Sequence, residues 1–464
     1  MLTFDEARDF IQNASKRGSV LGLESIENLM EELSAQVLGG NSMDQAPLQR
    51  GGCQESVLVP LQDQVPIVHI AGTNGKGSVG AYLAAIFREA GLHVARYTSP
   101  AVFDPLEVWQ YDGENISQDE YAQIMSQVKS ACDMMICKGK PCPTVFEIET
   151  AAAFLYFYLR KPDIALVEVG MGGLTDATNV IKHPLASVIA TISFDHMQFL
   201  GNSLEEIAEV KAGIIKPGCP VFSAEQLPGV KAVLLQKVEE NKTTIQFVNN
   251  DCLELLEQKP GKLCFSYKQE GVLFETRMAG SYQMKNAALA VECAWGLLPV
   301  LLEKKENLKA SHQLENPDQT CIINGIAKAF WPGRFEVVAA EPYVILDGAH
   351  NEDAAKQLAK TLQNCFTNKR ITYIIGVLAD KEHEKMLQIM LPMAERVYVV
   401  TPDNPRAMEA EALAEEARRI APKKPVFVCR NCKEALELAK EDTDVVLAFG
   451  SLSYLAEMKC SLQG

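Results

Sequence analysis

The chain has 464 residues, 47% of them hydrophobic and 22% charged, which is material for two or three domains with real cores. Its formal net charge of -16 excludes an extended nucleic-acid face, because that needs clustered Lys and Arg. An anionic small molecule can still be held locally, by backbone N–H groups and a metal ion.

The N-terminus, MLTFDEARDF, is acidic where a signal peptide is basic, and apolar runs such as Ala151 to Leu159 are too short to span a bilayer. A cytoplasmic protein with no membrane partner is expected. The thirteen cysteines are odd in number and lie mostly in apolar segments, so they read as small hydrophobes. Leu38 to Gln64 is polar and contains glycine, which suggests a loop insertion.

From Ile67 the order is strand (IVHIAG), helix (Ser78 to Ala90) and strand (HVARYTS). Ser117 and Glu120 form a capping box opening a helix through about Met135, and Ser203 and Glu206 form another ahead of Lys211. DIALVEVG and ASVIATIS are continuous apolar runs suited to central parallel strands. Lys262 to Met278 reads as a hairpin, and a helix follows from about Ser281 to Leu298. The charged stretch from Glu303 to Gln319 reads as a linker, dividing residues 1–300 from 323–464 with 301–322 between them. Beyond it YVILDGA, ITYIIGVL, RVYVVTP, PVFVC and DVVLAFG alternate with helical segments, as in a second, smaller doubly wound domain.

The first strand runs into HIAGTNGKGS, His69 to Ser78. A strand, a glycine-rich turn and a helix N-terminus present free N–H groups to an anion, and Lys76 adds a positive charge. The strict phosphate-loop pattern is not met, because Ile70 stands at its first glycine and Gly77 precedes Ser78. The loop by itself does not separate a kinase, a GTPase and a ligase. Glu168 ends an apolar strand, where a charge needs a partner or a metal and where open sheets bind ligands.

Further motifs follow in a fixed order: YTSP (Tyr97 to Pro100), VEVGMGG and DATN (Val167 to Asn179), Asp195-His196, and EVKAGIIKPG (Glu209 to Gly218). SYQMKNAALA (Ser281 to Ala290), WPGRFE (Trp331 to Glu336) and LDGAHN (Leu346 to Asn351) continue it. From about residue 15 onward, Leu38 to Gln64 apart, the chain resembles the folylpolyglutamate synthase/dihydrofolate synthase family. That resemblance implies an α/β architecture: a Mur-ligase-type P-loop ATPase domain on a mostly parallel sheet, plus a smaller Rossmann-like C-terminal glutamate-ligase domain. It implies ATP-dependent addition of L-glutamate to a reduced folate through an acyl phosphate, and leaves dihydropteroate open as a second acceptor.

By the same resemblance Asn74, Gly75, Lys76, Gly77 and Ser78 would wrap the ATP phosphates, and Asn286, Arg334 and Asp347 would complete the ATP site. Ser99, Glu168 and His196 would ligate magnesium, two ions in all, together with Lys211 carboxylated by carbon dioxide. Lys76, Lys211 and His350 would serve the chemistry. Thr144, Val145, Phe146 and Glu147, with Thr175, Asp176 and Ala177, match segments that bind dihydropteroate. Small-molecule substrates and a monomer are expected. Three residues depart from the family pattern: Ala101 stands for a histidine, and Val108 and Leu174 for arginines. A Mur ligase acting on a UDP-linked cell-wall precursor is the alternative, but it needs a further N-terminal domain, for which roughly 66 residues are too few. A non-catalytic nucleotide-binding protein is opposed by the presence together of Lys76, Ser99, Glu168, His196 and Lys211.

Overall fold

The computed structural model describes residues 1–15, 22–39, 59–268, 272–308, 319–381 and 383–463. Most of the expected insertion, and residues 309–318 of the expected linker, lie outside the described residues.

The first sheet takes β1 (Ile67–Ala71), β2 (Val94–Tyr97), β3 (Trp109–Tyr111), β4 (Glu114–Asn115), β5 (Ile164–Glu168), β6 (Ala186–Ile189), β7 (Val221–Ser223) and β8 (Ile245–Phe247). Across the sheet they run β4-β3-β2-β5-β1-β6-β7-β8. From β2 to β8 every neighbour is parallel, and β3 and β4 add an antiparallel edge. Every residue of β1, β5 and β6 is buried, as continuous apolar runs require of strands covered on both faces. Alternate residues feed two cores. Val68 and Ile70 pack with helices Lys76–Glu89, Gln283–Leu308 and Gln319–Lys328. Ile67, Tyr97 and Val167 pack with helices Phe4–Ser15, Glu24–Gly39, Gln118–Cys137 and Val145–Arg160.

A second, antiparallel sheet joins β9 (Leu253–Lys259), β10 (Lys262–Tyr267) and β11 (Leu273–Thr276), so the expected hairpin gains a strand. The third takes β12 (Glu336–Ala340), β13 (Tyr343–Leu346), β14 (Ile371–Ile375), β15 (Arg396–Val399), β16 (Val426–Val428) and β17 (Val445–Phe449), in the order β12-β13-β17-β14-β15-β16. It is parallel except for β12, which the sequence reading missed.

The linker expectation needs correction at both ends. The helix begun at Gln283 runs on to Leu308, and another starts at Gln319. The latter packs on the Lys76–Glu89 helix so closely that a Cβ on Gly325 would lie 2.6 Å from the Ile86 nitrogen. Ile322, Gly325 and Ile326 form the buried face of this helix, which begins where the charged stretch ends. Gln283–Lys305 is long and apolar enough to cross a membrane, yet 67% of that window is buried, as befits a core helix.

Candidate active site

The loop between β1 and the Lys76–Glu89 helix lies at the C-terminal edge of the sheet, between the ends of β5 and β6. Gly75 caps the helix at φ +94°, a left-handed conformation that suits glycine. A Cβ at Gly75 would strike the Asn286 amide, and one at Gly77 would lie 2.6 Å from the Trp331 indole nitrogen. The loop is strapped down: Thr73 and Asn74 N–H donate to the Thr191 carbonyl at 2.8 and 3.2 Å. The amides left open to an anion are therefore those of the first helical turn, Gly75 to Ser78, which lack an intrahelical acceptor. The Ser78 side chain is turned into the protein. It is buried, and its hydroxyl accepts from Gln283 Nε2 at 3.1 Å, while Gln283 Oε1 accepts from Asn286 at 3.1 Å.

Two lysines converge on one carbonyl. Lys76 Nζ donates to Gly72 O at 3.3 Å and Lys211 Nζ to the same oxygen at 3.0 Å. Lys211 is buried on the Leu204–Ala212 helix, and its desolvation and the Lys76 charge bring its pKa down to about 7. Lys76 also lies 3.8 Å from the Glu168 carboxylate. Burial raises the pKa of Glu168, opposed by the charges of Lys76, Arg96 and Arg334. Ser99 follows β2, whose Tyr97 pairs with Val167, so Ser99 and Glu168 stand at neighbouring strand ends.

The second domain closes over this edge. Asn74 donates to Asp353 Oδ2 at 3.0 Å and accepts from Asn351 at 3.1 Å. Asp195 Oδ1 accepts from Lys381 at 2.9 Å, and its Oδ2 lies 3.7 Å from His350 Nε2 and 3.8 Å from His196 Nε2. Burial alone would raise Asp195, but His350, Lys381 and His196 hold it well below the usual carboxylate range. Burial brings His196 down to about 4, leaving a neutral ring at neutral pH. Arg334 adjoins Gly348, whose Cβ would meet its guanidinium.

Several of the expected site side chains also have structural partners. Among the described residues no three His, Cys, Asp or Glu side chains converge as a metal-holding group, and the ammonium of Lys381 stands 3.3 Å from Nε2 of His196, a residue expected to ligate magnesium. Asp347 accepts from Phe335 N, Ala349 N and Tyr282 OH at 2.8, 2.8 and 3.1 Å, so it shapes the loops beside the site. Thr144 and Glu147 consume each other in a buried capping box. Asp176 is buried and caps residues 177–180, with Ala177 buried behind it. Val145, Phe146 and Thr175 keep exposed surface, and Phe146 packs 2.6 Å from where a Gly170 Cβ would be.

Sequence reasoning did not find Arg96, Trp331 or Lys381 as site residues. Arg96 is buried beneath the loop, donates to Gly77 O at 3.3 Å and lies 4.5 Å from the Trp331 ring centre.

Residues 70–294 match the Mur ligase middle domain, and residues 333–452 match the Mur ligase glutamate ligase domain. With the sheet-edge loop and the second domain closing on it, these matches define the class: an ATP-dependent, amide-forming ligase. The chain is 35% identical over 407 residues to the dihydrofolate synthase/folylpolyglutamate synthase of Bacillus subtilis, an alignment covering 87% of this chain and 91% of that one. The folylpolyglutamate synthase of Mycobacterium tuberculosis, solved with ADP and AMPPCP, matches with a TM-score of 0.79 at 27% identity over 99% of both chains. A folylpolyglutamate synthase complex with AMPPCP and folate matches with a TM-score of 0.76 at 27% identity over 100% of both. The chain belongs to the folylpolyglutamate synthase/dihydrofolate synthase family.

Proposed function

We propose that this enzyme uses ATP to join L-glutamate to a reduced folate, with dihydropteroate as a second acceptor. A carboxylate is a poor acylating agent, and transfer of the γ-phosphoryl group to it makes an acyl phosphate with a good leaving group. The glutamate amine then attacks the carbonyl carbon, phosphate leaves, and the amine proton passes to solvent. The observation that carries this reading is the first helical turn at Gly75 to Ser78, with Lys76 beside it and Asn286 packed on Gly75. Positioned amides and a cation stabilise the charge that develops on the transferred phosphoryl group.

Magnesium is assigned to Glu168, Ser99 and His196. The chemistry of Glu168 supports it: a buried carboxylate with its pKa raised and an ammonium no nearer than 3.8 Å gains from a hard divalent cation. Carboxylation of Lys211 is supported by its pKa of about 7, because only the neutral amine attacks carbon dioxide. The domain boundary falls after Lys328, since helix Gln319–Lys328 packs on the first domain. The acceptor ring lies along Val145, Phe146 and Thr175. We take the enzyme to be a cytoplasmic monomer, in keeping with cysteines that lie mostly in apolar segments.

Mass spectrometry of products from ATP, glutamate and either tetrahydrofolate or dihydropteroate tests the function. A mass gain of one glutamyl residue on either acceptor is expected. ATP consumption without a glutamylated product overturns it.

A further inference from the structure

We propose that Asp195 and Lys381 form a positioning pair that holds the second domain over the phosphate-binding loop during acyl transfer. The proposal rests on the ligase reading above. Asp195 lies beyond β6 of the first domain and Lys381 beyond β14 of the second, so their bond spans the cleft. Their side chains are only 12% and 13% exposed, which sets this pair apart from solvent-screened surface pairs. Both ends are braced. Asp195 Oδ1 also accepts from His196 N at 2.9 Å, while the Lys381 backbone accepts from His383 N at 2.8 Å and donates to Leu378 O at 3.2 Å. His350, from the next loop of the second domain, faces the other carboxylate oxygen. One carboxylate thus gathers groups from two loops of the second domain beside His196. Removing either partner leaves a charge desolvated in the cleft and frees the second domain to swing away.

The test compares Asp195→Asn, Lys381→Met and the double variant in the full chain, with wild-type folate glutamylation as the control that establishes the ligase reading. Each single variant should lose on the order of 50-fold in kcat, while binding of ADP, whose phosphates rest mainly on the Gly75 to Ser78 turn of the first domain, changes less than about threefold. The double variant should be no slower than the worse single one, because the two residues act as a unit. Lys381→Arg, which keeps the charge, should recover most of the rate. Small-angle scattering of the AMPPCP-saturated enzyme should show Lys381→Met more expanded than wild type. Losses that multiply in the double variant, or a closed Lys381→Met enzyme, would overturn the pair. A rise in KM for glutamate with kcat unchanged would assign Lys381 to substrate binding instead.

Discussion

The Arg96 guanidinium lies 4.5 Å from the centre of the Trp331 ring while donating to the Gly77 carbonyl at 3.3 Å. Trp331 in turn lies against Gly77 and stands three residues before Arg334. A buried cation therefore ties the first turn of the Lys76–Glu89 helix to the segment entering the second domain. A desolvated cation–π contact contributes about 2 kcal/mol, so Arg96→Leu should raise KM for ATP about thirtyfold. Trp331 emission should change too, read against a Trp331→Phe control because the chain has three tryptophans. Unaltered emission together with an unaltered KM would show that the contact plays no part in nucleotide binding.

Lys76→Ala tests the phosphate loop itself. The side chain lies over Gly72 and Glu168 at the sheet edge, outside every apolar core, so the variant should fold with wild-type circular dichroism. Its kcat should fall about 10³-fold, the scale seen when one preorganised charge-stabilising donor is lost. Normal turnover in a folded variant would sink the assignment.

Burial and the nearby charge of Lys76 make Lys211 respond to pH near neutrality. With a pKa near 7, about a tenth of its amine is neutral at pH 6 and about nine tenths at pH 8. Protein incubated with ¹³C-bicarbonate should show a bound carbamate resonance that grows over that range and is missing from Lys211→Arg. Lys76→Ala should move its midpoint upward, because the Lys76 charge is one cause of the depression. A resonance that persists in Lys211→Arg would place the carbamate elsewhere.

The parts of the fold legible in sequence were those whose signal is local. β1, β5 and β6 are buried on both faces and so read as unbroken apolar runs, and Ser117 and Ser203 announce their helices through reciprocal caps. The glycines and lysine of the loop were legible for the same reason. Helix Val145–Arg160 was not, because it is buried nearly all round and its AAAFLYFYL run has no polar face to set a period. Arg96, Trp331 and Lys381 gain their roles only from partners far away in the chain, which no spacing rule records. The caps at Thr144 and Asp176 show the converse: the family motifs name these two side chains for the acceptor, and hydrogen bonding gives them a structural task.

His69, at the centre of β1, yields a prediction about stability. It is fully buried, and its Nε2 lies 2.8 Å from Thr178 Oγ1, whose proton goes to Asp176 Oδ1 at 2.6 Å. The hydroxyl has one proton to give, so His69 must donate from Nε2, which leaves Nδ1 bare and without a partner. Charging that nitrogen would put a cation in the core with no acceptor, and burial accordingly lowers the pKa of His69 to about 3. The unfolded chain has the ordinary histidine value, near 6.5, and binds more protons than the native state between pH 3 and pH 6.5. Stability therefore rises with pH across that window, and this contribution is fully present above about pH 6.5 and lost as pH falls toward 3. One differential proton is worth about 1.4 kcal/mol per pH unit. Denaturant unfolding of His69→Gln, which keeps a donor toward Thr178 but cannot titrate, should show a slope between pH 4 and pH 6 shallower by about that amount. An equal slope in the two proteins would mean that His69 is not the group whose protonation loosens the strand beneath the phosphate loop.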